Sequence, residues 1–423
     1  MAAERSPPTP WLLALCATQA GAVLVFLNFA GALPLIQADW QLSNAQAGAI
    51  QAAGQVGYVL AVLILSSLTD YVGAELLIIG GALWAGLSNL AFAGLAHDTA
   101  SAMVFRALTG LGVAGIYMPG VRLISQRFPT SQRGRAVGLF VASFTLGSAA
   151  SIALGGSLAA ALGWRPAFVL TSIGPLAGGL IGWRALPRTD GSPQAHSLRA
   201  PRPMSELLHN CPALLAIVTY TAHAWELLGL RGWLPAFLTA ALIYAGADLA
   251  EATRSGATMA GVATLLGAVS NASVAALSDR FGRTRTIMVV NTASFVCTLG
   301  LGLTLTLPWA LVAGAGLATA FLANADSAVI STTLTEIVPV DYLGRTLAVY
   351  SSLGFTAGAI APLAFGAVLD HTQPAGGPAT GAYRPPWGWA FAILALGSLV
   401  ALATASALHR RLRTRHLASR LGE

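Results

Sequence analysis

Lysine is absent from this 423-residue chain; all 23 basic residues are arginine. A phosphate-cradling loop of the Gly-x-x-x-x-Gly-Lys type is thereby excluded, and with it an ATP-driven pump within this polypeptide. Charge of either sign is scarce: charged residues make up 9% of the chain, against 55% for the apolar set AVILMFWYC. A soluble surface of this size needs far more charge. Cys16, Cys211 and Cys297 are the three cysteines, without metal-type spacing, and they imply no disulfide. The seven histidines are scattered. No metal, cofactor or catalytic cluster is expected, and the chain does not read as an enzyme. The net charge of +7 would admit nucleic acid as a partner. The arginines sit in short breaks between apolar runs, so they read as markers of cytoplasmic loops, and no nucleic-acid binding is expected.

What the chain has in abundance is apolar runs long enough to cross a bilayer, each of roughly 20 residues or more. In lipid the backbone must satisfy its own polar groups, so the runs are read as helices. Twelve spans are expected, at 11–36, 46–68, 76–96, 99–124, 136–161, 166–185, 212–239, 256–277, 286–306, 309–335, 346–369 and 388–408. The first run is too long for a cleaved signal peptide. Residues 1–185 form an N-terminal six-helix bundle, 186–211 a Pro- and Arg-bearing cytoplasmic linker, and 212–423 a C-terminal bundle with a basic tail. The fold class is thus an all-α membrane protein of two six-helix bundles.

Orientation follows from arginine placement. With the N-terminus inside, sixteen arginines fall in cytoplasmic segments, among them Arg127, Arg133, Arg135, Arg280, Arg283, Arg285 and Arg345. Outside segments hold Arg165, Arg254 and Arg384. Both termini are therefore expected in the cytoplasm, with the chain in the plasma (inner) membrane. The basic tail from Arg410 to Arg415 is placed to touch anionic lipid.

A signature recurs between the halves. Asp70-Tyr71-Val72-Gly73 returns 209 positions later as Asp279-Arg280-Phe281-Gly282. Pro129, Gly134 and Arg135 return at a spacing of 210 as Pro339, Gly344 and Arg345, and Gly156 returns as Gly366. One membrane unit has been laid down twice, as in two-bundle transporters. The turn Leu277-Ser278-Asp279-Arg280-Phe281-Gly282-Arg283-Thr284-Arg285, the opening of span 4 at Phe105-Arg106-Ala107-Leu108-Thr109-Gly110, and the junction Gly163-Trp164-Arg165-Pro166-Ala167-Phe168 together resemble the major facilitator superfamily of secondary transporters. Three departures stand out. The first-half turn lacks basic residues, both turns lack a leading Gly (Ser66, Ala275), and span 5 lacks a Gly-Pro pair. The last departure weakens a multidrug-efflux reading.

The Asp-bearing turns suggest a cytoplasmic gate, since helix N-termini carry partial positive charge. The candidates are Asp70, Gly73, Asp279, Arg280, Gly282 and Arg283 in the turns, with Arg135 and Arg345 at the helix starts they would meet. The plainer reading is that these residues only fix topology and turn shape. The resemblance places spans 1, 4, 7 and 10 around a central cavity. Charge in a span is expensive and marks function by default. Arg106 and Tyr117 are eleven positions apart on span 4 and share a face. Arg106 either contacts substrate or bonds the carbonyls of a broken neighbouring helix. Tyr220, His223 and Glu226 form a stripe at intervals of three on span 7, with His223 roughly 17 Å from the cytoplasmic end. Asp326 on span 10 and Asn28 on span 1 complete the cavity set. Arg231, near the outer end of span 7, reads as a snorkelling side chain. Gln51, Gln55 and Tyr58 share a face of span 2, which reads first as interhelical packing.

The chain is therefore expected to be a secondary active transporter working by alternating access. Arg106 favours a small organic solute that is anionic, and Glu226 and Asp326 favour proton symport. Two alternatives remain: proton-driven efflux of drugs or metabolites, and a membrane receptor that senses a solute without moving it. The expected partners are the solute, protons and the bilayer, with no obligate protein partner.

Overall fold

The computed structural model describes residues 9–68, 72–186, 205–372 and 387–421. Its elements are all helices: α1 (Thr9–Val23), α2 (Asn28–Trp40), α3 (Asn44–Leu68), α4 (Ala74–Leu95), α5 (Thr99–Arg127), α6 (Thr130–Leu162), α7 (Trp164–Ala185), α8 (Ser205–His209), α9 (Cys211–Tyr244), α10 (Leu249–Phe281), α11 (Arg283–Leu301), α12 (Trp309–Ala325), α13 (Ser327–Ile337), α14 (Val340–Thr372) and α15 (Trp387–Leu421). Among the described residues, eleven segments are long and apolar enough to cross a membrane, counting Pro10–Trp40 and Trp309–Ile337 as one each. The twelfth expected span is α3, a 25-residue helix that carries Gln46, Gln51 and Gln55 and falls outside that set. The short α8 was not expected, and residues 187–204 of the linker lie outside the described residues, as does Asp70.

Two of the twelve spans are broken. Span 1 is interrupted between Val23 and Asn28, and span 10 at Asp326. Nothing in the sequence announces either break, since neither holds a proline. Some helices overrun the expected spans: α9 continues to Tyr244 through the apolar Ala240-Ala241-Leu242-Ile243, and α10 continues to Phe281 through the polar Ser278-Asp279-Arg280. Where a sharp stop occurs, glycine makes it. Gly163 (φ 88°) and Gly282 (φ 89°) turn the chain in the left-handed region between successive helices. Asp98 caps α5: it accepts the Ser101 N–H, and Ser101 O–H bonds back to it. Those two donations hold the exposed Asp98 carboxyl below its usual range.

Packing divides the chain into two units. Unit 1 comprises Met1–Leu42, Ala49–Gln194 and Leu238–Leu265. Unit 2 comprises Ser43–Gly48, Ala195–Phe237 and Leu266–Glu423. The sequence halves and the packing units thus differ at two stretches, Ser43–Gly48 and the longer Leu238–Leu265. One of these, Ser43–Gly48, is held by Asp370 near the end of α14. That carboxylate accepts Asn44 N–H (3.0 Å), Asn44 Nδ2 (2.8 Å) and Ala45 N–H (2.7 Å), and so caps the start of α3.

Each unit is built on close backbone approach and a knot of aromatic rings, because apolar burial alone does not join helices in lipid. In unit 1 a Cβ on Gly57 would lie 2.0 Å from Ala107 O, and one on Gly110 2.0 Å from Gly54 O, so only glycine allows α3 and α5 to cross there. Phe92 stacks on Phe168 (4.7 Å), and both meet Trp164 at the start of α7. In unit 2 Trp233 stacks on Phe365 (5.1 Å), and Phe237 meets Phe391 (5.0 Å) and Trp387 at the start of α15. Trp164 and Phe168 recur as Trp387 and Phe391, 223 positions on. The internal repeat therefore survives in the packing, with the longer spacing taken up by the segment before α15.

Candidate functional site

In unit 1 the buried polar groups gather at the break in span 1. A broken helix frees carbonyls and N–H groups that lipid cannot satisfy. Several of the freed groups here meet side chains from other helices. Ser151 of α6 donates to Leu24 O (2.6 Å) and accepts the Leu27 N–H (3.0 Å). Arg106 of α5 donates to Val25 O (2.9 Å), to Phe26 O and to Asn28 Oδ1 (3.3 Å). Asn28 in turn donates to Asn89 Oδ1 and to Thr171 Oγ1, both at 3.1 Å. The carbonyls that accept from Arg106 lie in the break itself, where no helix N–H can reach them. Arg106 is 4% exposed, and its charge meets a built counterpart. Only its Nε lacks a partner, beside the unpartnered Gln51 Nε2 and Gln55 Oε1 on α3. Tyr117, on the same face of α5, stands elsewhere: its ring packs on Phe140 and Phe144.

In unit 2 the break lies in span 10, and the charges gather around it. His223 Nδ1 pairs with Asp326 Oδ1 at 2.8 Å, with both side chains 2% exposed. Asp326 Oδ2 accepts Asn291 Nδ2 of α11 (2.7 Å). Ala328 N–H, freed by the break, donates to Asn271 Oδ1 of α10 (2.9 Å). Two residues before Asp326, Asn324 Oδ1 accepts the Arg231 guanidinium at 2.7 Å. Glu226 is separately enclosed: Oε1 accepts Ser294 (2.9 Å) and Thr298 (2.5 Å), and Oε2 accepts Ser398 of α15. All three partners are hydroxyls, which donate to an ionised carboxylate and can accept from a protonated one. Tyr220 stacks on Tyr350 (3.7 Å between centroids) and lies 5.8 Å from His223.

The structure thus brings His223, Asp326 and Tyr220 together, ties Glu226 to the same neighbour α11, and joins Arg106 to Asn28. Arg231 does not snorkel at a helix end; thirteen residues of α9 follow it, and its partner lies inside unit 2. The reading of the sequence missed Asn291, Ser294 and Thr298, although their spacing of three and four on α11 is a polar stripe. It also missed Ser151, Asn324, Ser398 and Asp370. A lone small polar residue in an apolar run carries no signal until its partner is known.

Of the gate candidates, Asp279 pairs with Arg283 at 2.5 Å, one helical turn away across Gly282. Arg283 also reaches Ser278 (2.6 Å) and Glu336 at the end of α13 (3.1 Å). Glu336 was not foreseen. Gly73 and Gly282 begin α4 and α11 as N-caps, while Arg135, Arg280 and Arg345 are exposed.

Comparison with known proteins covers almost the whole chain. The family model of the Major Facilitator Superfamily matches residues 15–324 and 248–422. The chain is 24% identical over 355 residues to the probable 4-methylmuconolactone transporter of Cupriavidus pinatubonensis, spanning 81% of this chain and 79% of that one. It is 25% identical over 413 residues to the probable sulfoacetate transporter of Cupriavidus necator, spanning 89% of each. Among solved structures, a bacterial homologue of the human lysosomal transporter Spinster, in an inward-facing and occupied conformation, superposes with a TM-score of 0.77 at 18% identity. That match covers 96% of this chain and 98% of that one, and it shows the fold.

Proposed function

The chain belongs to the Major Facilitator Superfamily of transporters, and from that premise we propose that it carries a small organic anion across the membrane by alternating access, coupled to protons. Two relatives that match along most of the chain are named as probable transporters of 4-methylmuconolactone and of sulfoacetate. The observation that carries the reading is the placement of two carboxylates, Glu226 and Asp326, at 1% exposure inside spans. Asp326 stands between α12 and α13, but its side chain makes no cap hydrogen bond to either helix. Asp326 faces a histidine, and Glu226 faces three hydroxyls. A carboxylate so placed can take up and release a proton as its surroundings dry and wet.

In this reading both termini are cytoplasmic and the protein acts in the plasma (inner) membrane without an obligate protein partner. The Asp279–Arg283–Glu336 cluster and the equivalent turn at Asp70, with Arg135 and Arg345 at helix starts, act as the cytoplasmic gate. Asn28 and Tyr117 belong to the carrier's first unit, and Tyr220 and His223 to its second.

The test separates coupling from movement. In Glu226→Gln and Asp326→Asn, counterflow exchange of solute should persist while accumulation driven by a pH gradient is lost. Accumulation at the wild-type level in both variants would remove these carboxylates from the coupling step.

A further inference from the structure

We propose that Arg231 is the group that grips the anionic end of the transported solute, and that Arg106 is a structural residue holding the break in span 1. The inference rests on the anion-transport reading above and names the contact that reading leaves open.

A guanidinium has five N–H donors and cannot shed its charge. Inside a membrane such a charge must be met by something. Arg106 is met: it donates to two carbonyls of the break between α1 and α2 and to Asn28. These partners are fixed by the fold, and a solute would have to displace them. Arg231 is met only in part. Its single hydrogen bond goes to the neutral amide of Asn324 (2.7 Å), and its buried Nε has no partner. Among the described residues no carboxylate stands within ion-pair distance of it. The nearest break in the chain, at Asp326, offers it no carbonyl.

Position strengthens the contrast. Arg231 lies roughly 30 Å from the start of α9 and roughly 20 Å from its end, well inside the helix. On the same helix, His223 Nε2 is also buried without a partner, its Nδ1 being held by Asp326. The two side chains engage the same break two residues apart, Arg231 through Asn324 at the end of α12 and His223 through Asp326 at the break itself. A carboxylate or sulfonate fits the planar fork of Arg231 in bidentate fashion, which an ammonium cannot reproduce. Once seated, such a group competes with Asn324 for the guanidinium. It thereby acts on the very turn of span 10 that carries the proton-binding pair. Solute and proton are then linked through two residues of chain, Asn324 to Asp326.

The experiment is counterflow in proteoliposomes with four labelled probes: sulfoacetate, benzoate, gluconate and succinate. Wild-type protein and the variants Arg231→Gln, Arg231→Lys and Arg106→Gln are compared. For the best wild-type probe, Arg231→Gln should raise KM about tenfold or more, the loss of one charge-assisted contact, while Vmax stays within about twofold. Arg231→Lys should raise KM severalfold, since it keeps the charge and loses the fork. Arg106→Gln should lower the yield of folded carrier and leave KM unchanged in what remains. A purely structural Arg231 would show the reverse pattern: fewer active molecules at an unchanged KM. If Arg231→Gln does not fold, Arg231→Lys decides the matter together with thermal stabilisation by the same probe in detergent. A wild-type KM and full probe stabilisation in Arg231→Lys would overturn the assignment. Failure of the wild type to exchange any of the four probes would instead overturn the transport reading, and the assignment with it.

Discussion

The enclosure of Glu226 makes a quantitative prediction about stability. Three hydroxyls, from Ser294, Thr298 and Ser398, converge on this one carboxyl and join α9 to α11 and α15. Glu226→Ala removes the acceptor and leaves all three without it. At ~0.6 kcal/mol for an ordinary interhelical hydrogen bond in a membrane, rising to ~1.5 kcal/mol for one to a charged acceptor, the loss is roughly 2–4 kcal/mol. Glu226→Gln should behave differently. Its carbonyl oxygen still accepts Ser294 and Thr298, and its NH2 donates to Ser398, whose hydroxyl turns from donor to acceptor. The expected loss is then about 1 kcal/mol or less, the value of one neutral bond rearranged. The assay is thermal unfolding of purified carrier in detergent, with tryptophan fluorescence as the probe. Glu226→Ala should melt several degrees lower than Glu226→Gln. Equal midpoints for the two variants would mean that the hydroxyl enclosure contributes nothing, and the argument from it would fall.

Three other outcomes are expected. Alanine at Gly57 or Gly110 should sharply reduce folded protein, because the new Cβ would lie 2.0 Å from a backbone oxygen of the facing helix; alanine at Gly80 or Gly94, where nothing lies within 4 Å, should be harmless by fluorescence-detected size exclusion, and equal yields would contradict the packing. Asp370→Ala should cost about 1–3 kcal/mol of thermal stability by removing three donors' acceptor at the start of α3, and Asp370→Asn less; an unchanged midpoint in Asp370→Ala would show the cap to be idle. Arg283→Gln should leave stability within ~1 kcal/mol, since its partners Asp279 and Glu336 are 63% and 50% exposed, but it should raise thiol-reagent labelling of a cysteine placed in the cavity from the cytoplasmic side; unchanged labelling would count against a gate at this turn.

The architecture was readable because lipid imposes a simple rule: long apolar runs must be helices. The repeat of Asp70–Gly73 as Asp279–Gly282 exposed the duplication directly. The charged residues of the site were readable for the same reason, since Arg106, His223, Glu226 and Asp326 stand out in apolar surroundings. What they do was less so. The alternative that Arg106 bonds a broken helix matches the geometry found, yet the break itself holds no proline, and its partners Ser151 and Arg106 come from helices distant in sequence. Glu226 looked like one stripe with Tyr220 and His223, but the face of a helix is set by its neighbours. Asn291 and the Ser294–Thr298 pair on α11 divide that stripe into two separate networks. Arg231 was read near a helix end because the span was closed at 239, whereas the apolar stretch and α9 both continue to Tyr244.

The central claim is proton-coupled transport of a small organic anion, and one measurement meets it directly. Purified carrier is reconstituted in liposomes and loaded with labelled sulfoacetate, benzoate, gluconate or succinate from outside, under an imposed pH gradient of either sign or none. The account predicts that at least one anion accumulates above its equilibrium level under one sign of gradient, that a protonophore abolishes the accumulation, and that Glu226→Gln abolishes it while retaining exchange. Uptake that never exceeds equilibrium under either gradient, or accumulation that the protonophore leaves intact, would contradict it.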